Sequence, residues 1–150
     1  MLSVSRKILV SAPRESVRTY LSDLREIAKY EPKVDSIEIA EDGAEASASG
    51  HFIGLPWRGT FRFEKTLDGG YRGVMVRGPL RHMECRMILR SVAGGTVIEH
   101  DESYELPLLM RPLKGLIHRW LDKALESELD SIKERAEGLN RQLQLQRLDA

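Results

Sequence analysis

Residues 113–143 read LKGLIHRWLDKALESELDSIKERAEGLNRQL, and apolar side chains recur through them at spacings of three and four: Leu113, Leu116, Ile117, Trp120, Leu121, Ala124, Leu125, Leu129, Ile132, Ala136, Leu139 and Leu143. That period marks one apolar stripe on an α-helix. The stripe predicts a helix of roughly 25 to 30 residues, where an average helix has about 11 or 12. A stripe of that length needs a cover, and the only large apolar surface the rest of the chain can offer is one face of a sheet.

The preceding segment supplies that sheet. Between Asp35 and Leu106 turn signals recur at Asp42-Gly43, Gly54-Leu55-Pro56, Asp68-Gly69-Gly70, Gly78-Pro79 and Gly94-Gly95, the punctuation of short antiparallel strands. From 57 to 64, Trp57, Gly59, Phe61 and Phe63 alternate with Arg58, Thr60, Arg62 and Glu64; Met83, Cys85, Met87 and Leu89 likewise alternate with charged neighbours. Each pattern reads as a strand with one wet face. Loops this short join antiparallel neighbours, since a parallel connection needs a crossover of a dozen residues or more. No helical period interrupts the meander, which excludes a doubly wound nucleotide fold.

Val4–Val10 reads as a first strand, with Ser11 as a helix N-cap and Pro13 in the first turn. Val17, Tyr20, Leu21 and Leu24 then form a short helical stripe, repeated briefly at 27–30 before Pro32. The expected class is α+β: a curved antiparallel sheet of about seven strands wrapped around a long C-terminal helix, with two short helices after the first strand.

Composition narrows the function. The 150 residues carry 23 Lys and Arg against 23 Asp and Glu, without the cationic excess that displaces counterions from nucleic acid. Cys85 is the only cysteine, so no internal disulfide forms. No run of about 18 apolar residues could span a bilayer; the expectation is a cytoplasmic protein without stable membrane insertion. No G-x-S-x-G elbow, Walker lysine, G-x-G-x-x-G or H-E-x-x-H motif occurs, and neither a metal site nor a cofactor is expected.

The order of strand, two short helices, six-strand meander and long helix resembles the START-like, or SRPBCC, helix-grip superfamily. The segments that carry the likeness are Val10-Ser11-Ala12-Pro13 before a helix, Glu31-Pro32-Lys33-Val34-Asp35-Ser36-Ile37 leading into the next strand, and Gly95-Thr96-Val97 entering a strand that ends near Leu106-Pro107. Within the superfamily the chain is most similar to bacterial polyketide cyclase/dehydrase-like and coenzyme Q-binding-like proteins. The resemblance implies one helix-grip domain over 1–139, with 140–150 a polar tail or helix extension. It also implies a cavity between sheet and helix that holds a lipid, quinone or polyketide-like aromatic.

Alternation places Trp57, Phe61, Phe63, Met83 and Met87 inward from the sheet, and the helical stripe does the same for Leu113, Leu116 and Trp120. Such residues also fill ordinary cores, so only the set suggests a cavity. On the last strand His100, Glu102 and Tyr104 share the parity of Ile98 and Leu106. Facing inward, they would orient a ligand's oxygens or move a proton; a bulge would turn them to solvent. His51, His82 and His118 sit on polar faces. Past residue 125 the stripe makes a heptad seam, which either frays or pairs with a second copy as a homodimer. The leading function is binding or transport of a hydrophobic small molecule. The alternatives are a cyclase/dehydratase enzyme using His100, Glu102 and Tyr104, and a protein-interaction module with a closed cavity.

Overall fold

A computed structural model describes residues 1–149. Strand β1 (Leu2–Val10) is followed by helix α1 (Arg14–Ser22), a single 3-10 turn and helix α2 (Ile27–Tyr30). Six strands follow as a meander: β2 (Val34–Ile39), β3 (Glu45–Phe52), β4 (Leu55–Lys65), β5 (Tyr71–Arg77), β6 (His82–Val92) and β7 (Gly95–Glu105). A 3-10 segment (Leu108–Leu113) leads into helix α3 (Lys114–Asp149). All seven strands form one antiparallel sheet in the order β1-β7-β6-β5-β4-β3-β2. This is the helix-grip arrangement that the residue pattern predicts.

Helix α1 starts differently from the sequence reading. The residue before it is Pro13, whose carbonyl accepts from the backbone N–H of Ser16 and Val17, and no side chain caps the helix. Ser11 lies too far upstream to reach those groups; its own N–H donates to Glu137 Oε1 on α3 at 3.2 Å. The strand exit is thereby tied to the long helix.

Helix α3 runs 36 residues, beyond the expected length, because Gly138 interrupts no packing: a Cβ there would meet only the tip of Arg141. Its stripe of Ile117, Leu121, Leu125, Leu129, Ile132 and Ala136 is buried against the sheet and α1. The domain's own core therefore occupies most of the heptad seam, and only its last positions, half-buried Leu139 and Leu143, project further. Arg6 on β1 fixes the helix from outside through a two-pronged ion pair with Asp122 at 3.0 Å. No helix among the described residues is long and apolar enough to cross a membrane.

Two irregularities curve the sheet, a register shift between Val34 and Ser36 and another between Thr60 and Phe61. Gly50 permits the first: a Cβ there would stand 1.8 Å from the Lys33 carbonyl oxygen. That carbonyl accepts from His51 N–H at 3.2 Å and from the Trp57 indole at 3.1 Å, so the chain entering β2 lies flat on β3 and β4. The β3–β4 hairpin turns at Ile53 and Gly54, both at positive φ (51° and 76°). A tight primed turn demands this, and it is strained for a β-branched residue.

Candidate functional site

Between the concave face of the sheet and the helices lies a cavity of about 230 Å³. One wall is a row of aromatic rings in contact: Trp57 and Phe61 with centroids 5.9 Å apart, Phe61 and Phe63 at 6.3 Å, and Phe63 and Tyr71 at 5.6 Å. Ile27, Val34, Ile37, Ala48, Phe52, Met75, Met83 and Met110 complete the apolar lining. The row exists because β4 puts alternate residues on one face.

The far wall is polar and deeply buried. Glu31 and Lys33 reach it from the segment entering β2, His100, Glu102 and Tyr104 from β7, and Glu128 from the middle of α3. Lys33 Nζ lies 2.8 Å from Glu31 Oε1 and 3.3 Å from both oxygens of Glu102. His100 sits between two carboxyl groups, Nε2 3.7 Å from Glu102 Oε2 and Nδ1 3.5 Å from Glu128 Oε1. Neither ring nitrogen makes a hydrogen bond, and the Tyr104 hydroxyl and Glu128 Oε2 are likewise unpartnered and buried. An unmet buried donor or acceptor costs about 1 to 3 kcal/mol. Four such atoms facing one cavity are a place for a ligand's polar atoms or for water.

The two carboxyl groups flanking His100 differ in character. Burial works against charge on Glu102, but the Lys33 ammonium beside it holds its carboxyl down to about 2. Burial, followed by the nearby Glu31 and Glu102 carboxylates, pushes Glu128 well above the usual range. The wall thus presents one carboxyl held toward its ionised form, Glu102, and one held toward its protonated form, Glu128, on either side of one imidazole. Burial opposes the charge of Lys33 too, yet Glu102 and Glu31 keep it raised and cationic. Burial raises the Cys85 thiol, which borders the cavity as an unreactive small group.

The structure places Trp57, Phe61, Phe63, Met83, His100 and Tyr104 on the cavity wall. Met87 is fully buried but stands apart from the cavity, and Trp120 packs edge-on against Phe52 at 5.2 Å. Leu113 and Leu116 face solvent, 53% and 60% exposed. Leu113 ends the 3-10 segment, whose tighter winding resets the phase of the stripe. Leu116 precedes inward-facing Ile117 by one residue, about 100° around the helix. Pro107 and Met110 take the places at the rim that the stripe assigns to these leucines.

Sequence reading missed Glu31, Lys33 and Glu128. Glu128 had a signal: it falls within the helical stripe, four residues after Ala124 and four before Ile132, where a charged residue is out of place. Glu31 and Lys33 had none, because they lie in the link between α2 and β2, where neither a helical period nor alternation applies. The sequence carries no metal-binding motif, yet the fold brings one candidate set of ligating atoms together. His100, Glu102 and Glu128 bring three ligating atoms within 4.8 Å of one another. Lys33 already supplies the cation at Glu102, and the two imidazole nitrogens address different carboxyl groups, an arrangement suited to proton transfer rather than to chelating one ion.

A family model described as polyketide cyclase / dehydrase and lipid transport matches residues 1–137. Among solved structures, a protein of Thermus thermophilus is 23% identical, with a TM-score of 0.78, covering 89% of this chain and 96% of that one. A START superfamily protein from Mycobacterium smegmatis is 16% identical at a TM-score of 0.65, covering 94% and 98%. The Zhui aromatase/cyclase from a Streptomyces species is 16% identical at 0.73, covering 90% and 93%. At these identities the likeness speaks to the fold. No curated protein sequence matches the chain.

Proposed function

The chain belongs to the polyketide cyclase / dehydrase and lipid transport family, and from that premise we propose that it binds a small, largely apolar molecule whose one polar end meets His100, Tyr104 and Glu128. The observation that carries this reading is a cavity with an aromatic wall ending on buried polar atoms that have no partner. A closed hydrophobic core would not leave His100 unsatisfied on both nitrogens, since burying such groups unpaired is costly. Aromatic faces suit a flat or unsaturated body, as in a quinone, a lipid or a polyketide-like aromatic. The polar wall suits a carbonyl or hydroxyl, which can accept from Tyr104 or from the Glu128 carboxyl in its favoured protonated form, or meet His100.

One observation favours a second reading. Two carboxyl groups shifted in opposite directions around one histidine form an acid/base set. Such a set could remove a proton and protonate a departing hydroxyl, the chemistry of a cyclase or dehydratase acting on the same ligand. His100→Phe separates the readings: a carrier keeps its apolar ligand with weakened affinity, whereas an enzyme loses turnover while ligand still binds. Native mass spectrometry of the purified protein, followed by solvent extraction, tests the shared premise. A stoichiometric apolar compound supports it.

A further inference from the structure

We propose that the mouth of the cavity is a docking surface for an anionic lipid bilayer. Three segments surround the opening: the β3–β4 turn (52–58), the β5–β6 loop (76–82), and the stretch from Pro107 through the first turns of α3 (107–119). All three contribute to the same cavity wall, through Phe52 and Leu55, through Pro79 and Leu80, and through Pro107 and Met110.

These segments concentrate exposed apolar side chains. Leu55, Val76, Leu108, Leu109, Leu113 and Leu116 are half of the twelve exposed large apolar residues among the described residues. Leu108 and Leu109 stand out furthest, 71% and 93% exposed, at the tip of the 3-10 segment. Contiguous exposed leucines cost solubility unless something receives them.

The same segments carry six cations and no carboxylate: Arg58, Arg77, Arg81, Arg111, Lys114 and Arg119. In a chain whose charges cancel, this end is positive and the remainder negative. All six are exposed, and among the described residues none forms an ion pair. Arg58 and Arg77 line a separate groove with Glu38, which leaves Arg81, Arg111, Lys114 and Arg119 as the unpaired cations of the mouth, while Asp35, Glu84 and Asp122 are engaged with His51, Arg72 and Arg6. Leucines at a tip with unpaired cations behind them match an anionic interface. The leucines would enter the boundary of headgroup and chain, and the cations would meet phosphate. A neutral apolar protein partner would give these four cations no counter-charge.

Docking needs no cavity ligand, so it goes beyond the binding reading and can fail without it. The test is cosedimentation of the full chain with phosphatidylcholine vesicles containing phosphatidylglycerol and with vesicles of phosphatidylcholine alone. The expected result is salt-sensitive binding to the anionic vesicles only. Leu109→Glu should abolish it, and the double variant Arg111→Glu/Lys114→Glu should weaken it roughly thirty-fold or more. Leu67→Glu, fully exposed on the β4–β5 loop, should leave it unchanged. Circular dichroism checks that each variant is folded. Absence of wild-type binding, or equal loss with Leu67→Glu, overturns the proposal. So does a concentration-dependent dimer that Leu109→Glu disperses while vesicles bind neither form.

Discussion

His100 Nδ1 faces Glu128 Oε1 at 3.5 Å, with the two side chains 2% and 1% exposed. The contact joins the last strand to the middle of the long helix across the end of the cavity, without closing into a hydrogen bond. Packing of sheet against helix has thus placed an acid beside a base in a space with little water to screen them.

Opposite shifts at Glu102 and Glu128 make stability depend on pH from both sides. Glu102 is depressed from 4.5 to about 2, so its contribution is present above 4.5 and lost as pH falls toward 2. Glu128 is raised from 4.5, so its contribution is full below 4.5 and declines as pH rises toward its folded value. Thermal unfolding of Glu128→Gln should show a flatter decline above pH 4.5 than wild type, whereas Glu102→Gln should flatten the acid limb. Identical pH profiles for all three proteins would contradict the assignment.

Lys33 is a buried cation between two buried carboxylates. Lys33→Met strands Glu31 and Glu102 and should cost about 3 to 5 kcal/mol, because breaking one side of a buried pair leaves uncompensated charge. Adding Glu102→Leu should recover part of that loss. Denaturant titrations of the single and double variants measure the coupling, and additive losses would show that the pair is not the unit described.

Trp57 borders the cavity while Trp120 packs on Phe52. Ligand binding should therefore change the fluorescence of Trp120→Phe, whose remaining indole is Trp57, and leave Trp57→Phe nearly silent. Trp57→Ala should weaken binding with a small effect on melting, since its ring is only half-buried.

Gly50→Ala tests how the charged wall is positioned. A Cβ at 1.8 Å from the Lys33 carbonyl strikes backbone rather than a yielding side chain, so the segment bearing Lys33 must move. A destabilisation of about 1 to 3 kcal/mol is expected from overpacking, together with a loss of ligand affinity larger than that of an equally destabilising core variant. Unchanged melting and affinity would count against it.

The architecture was legible because its signals were periodic. The stripe from Ile117 to Ala136 and the alternation in β4, β6 and β7 survive any detail of loop geometry, and parity alone turned His100, Glu102 and Tyr104 inward. What alternation cannot express was lost. The aperiodic link between α2 and β2 brings Lys33 to the site, the 3-10 segment rotates Leu113 outward, and the split roles of Glu102 and Glu128 arise only when residues 26 positions apart meet in one buried space. Charge segregation at the cavity mouth was invisible for a similar reason: three acid-free segments, harmless in a neutral total, converge only in the fold.

The most direct test of the central claim is native mass spectrometry of the protein purified from its own host, beside Trp57→Ala, with solvent extraction of whatever co-purifies. The account predicts a stoichiometric apolar molecule with one oxygen-bearing end on the wild-type protein, depleted in the variant. An apo mass for the wild type with nothing extractable, or a molecule retained equally by Trp57→Ala, would contradict it.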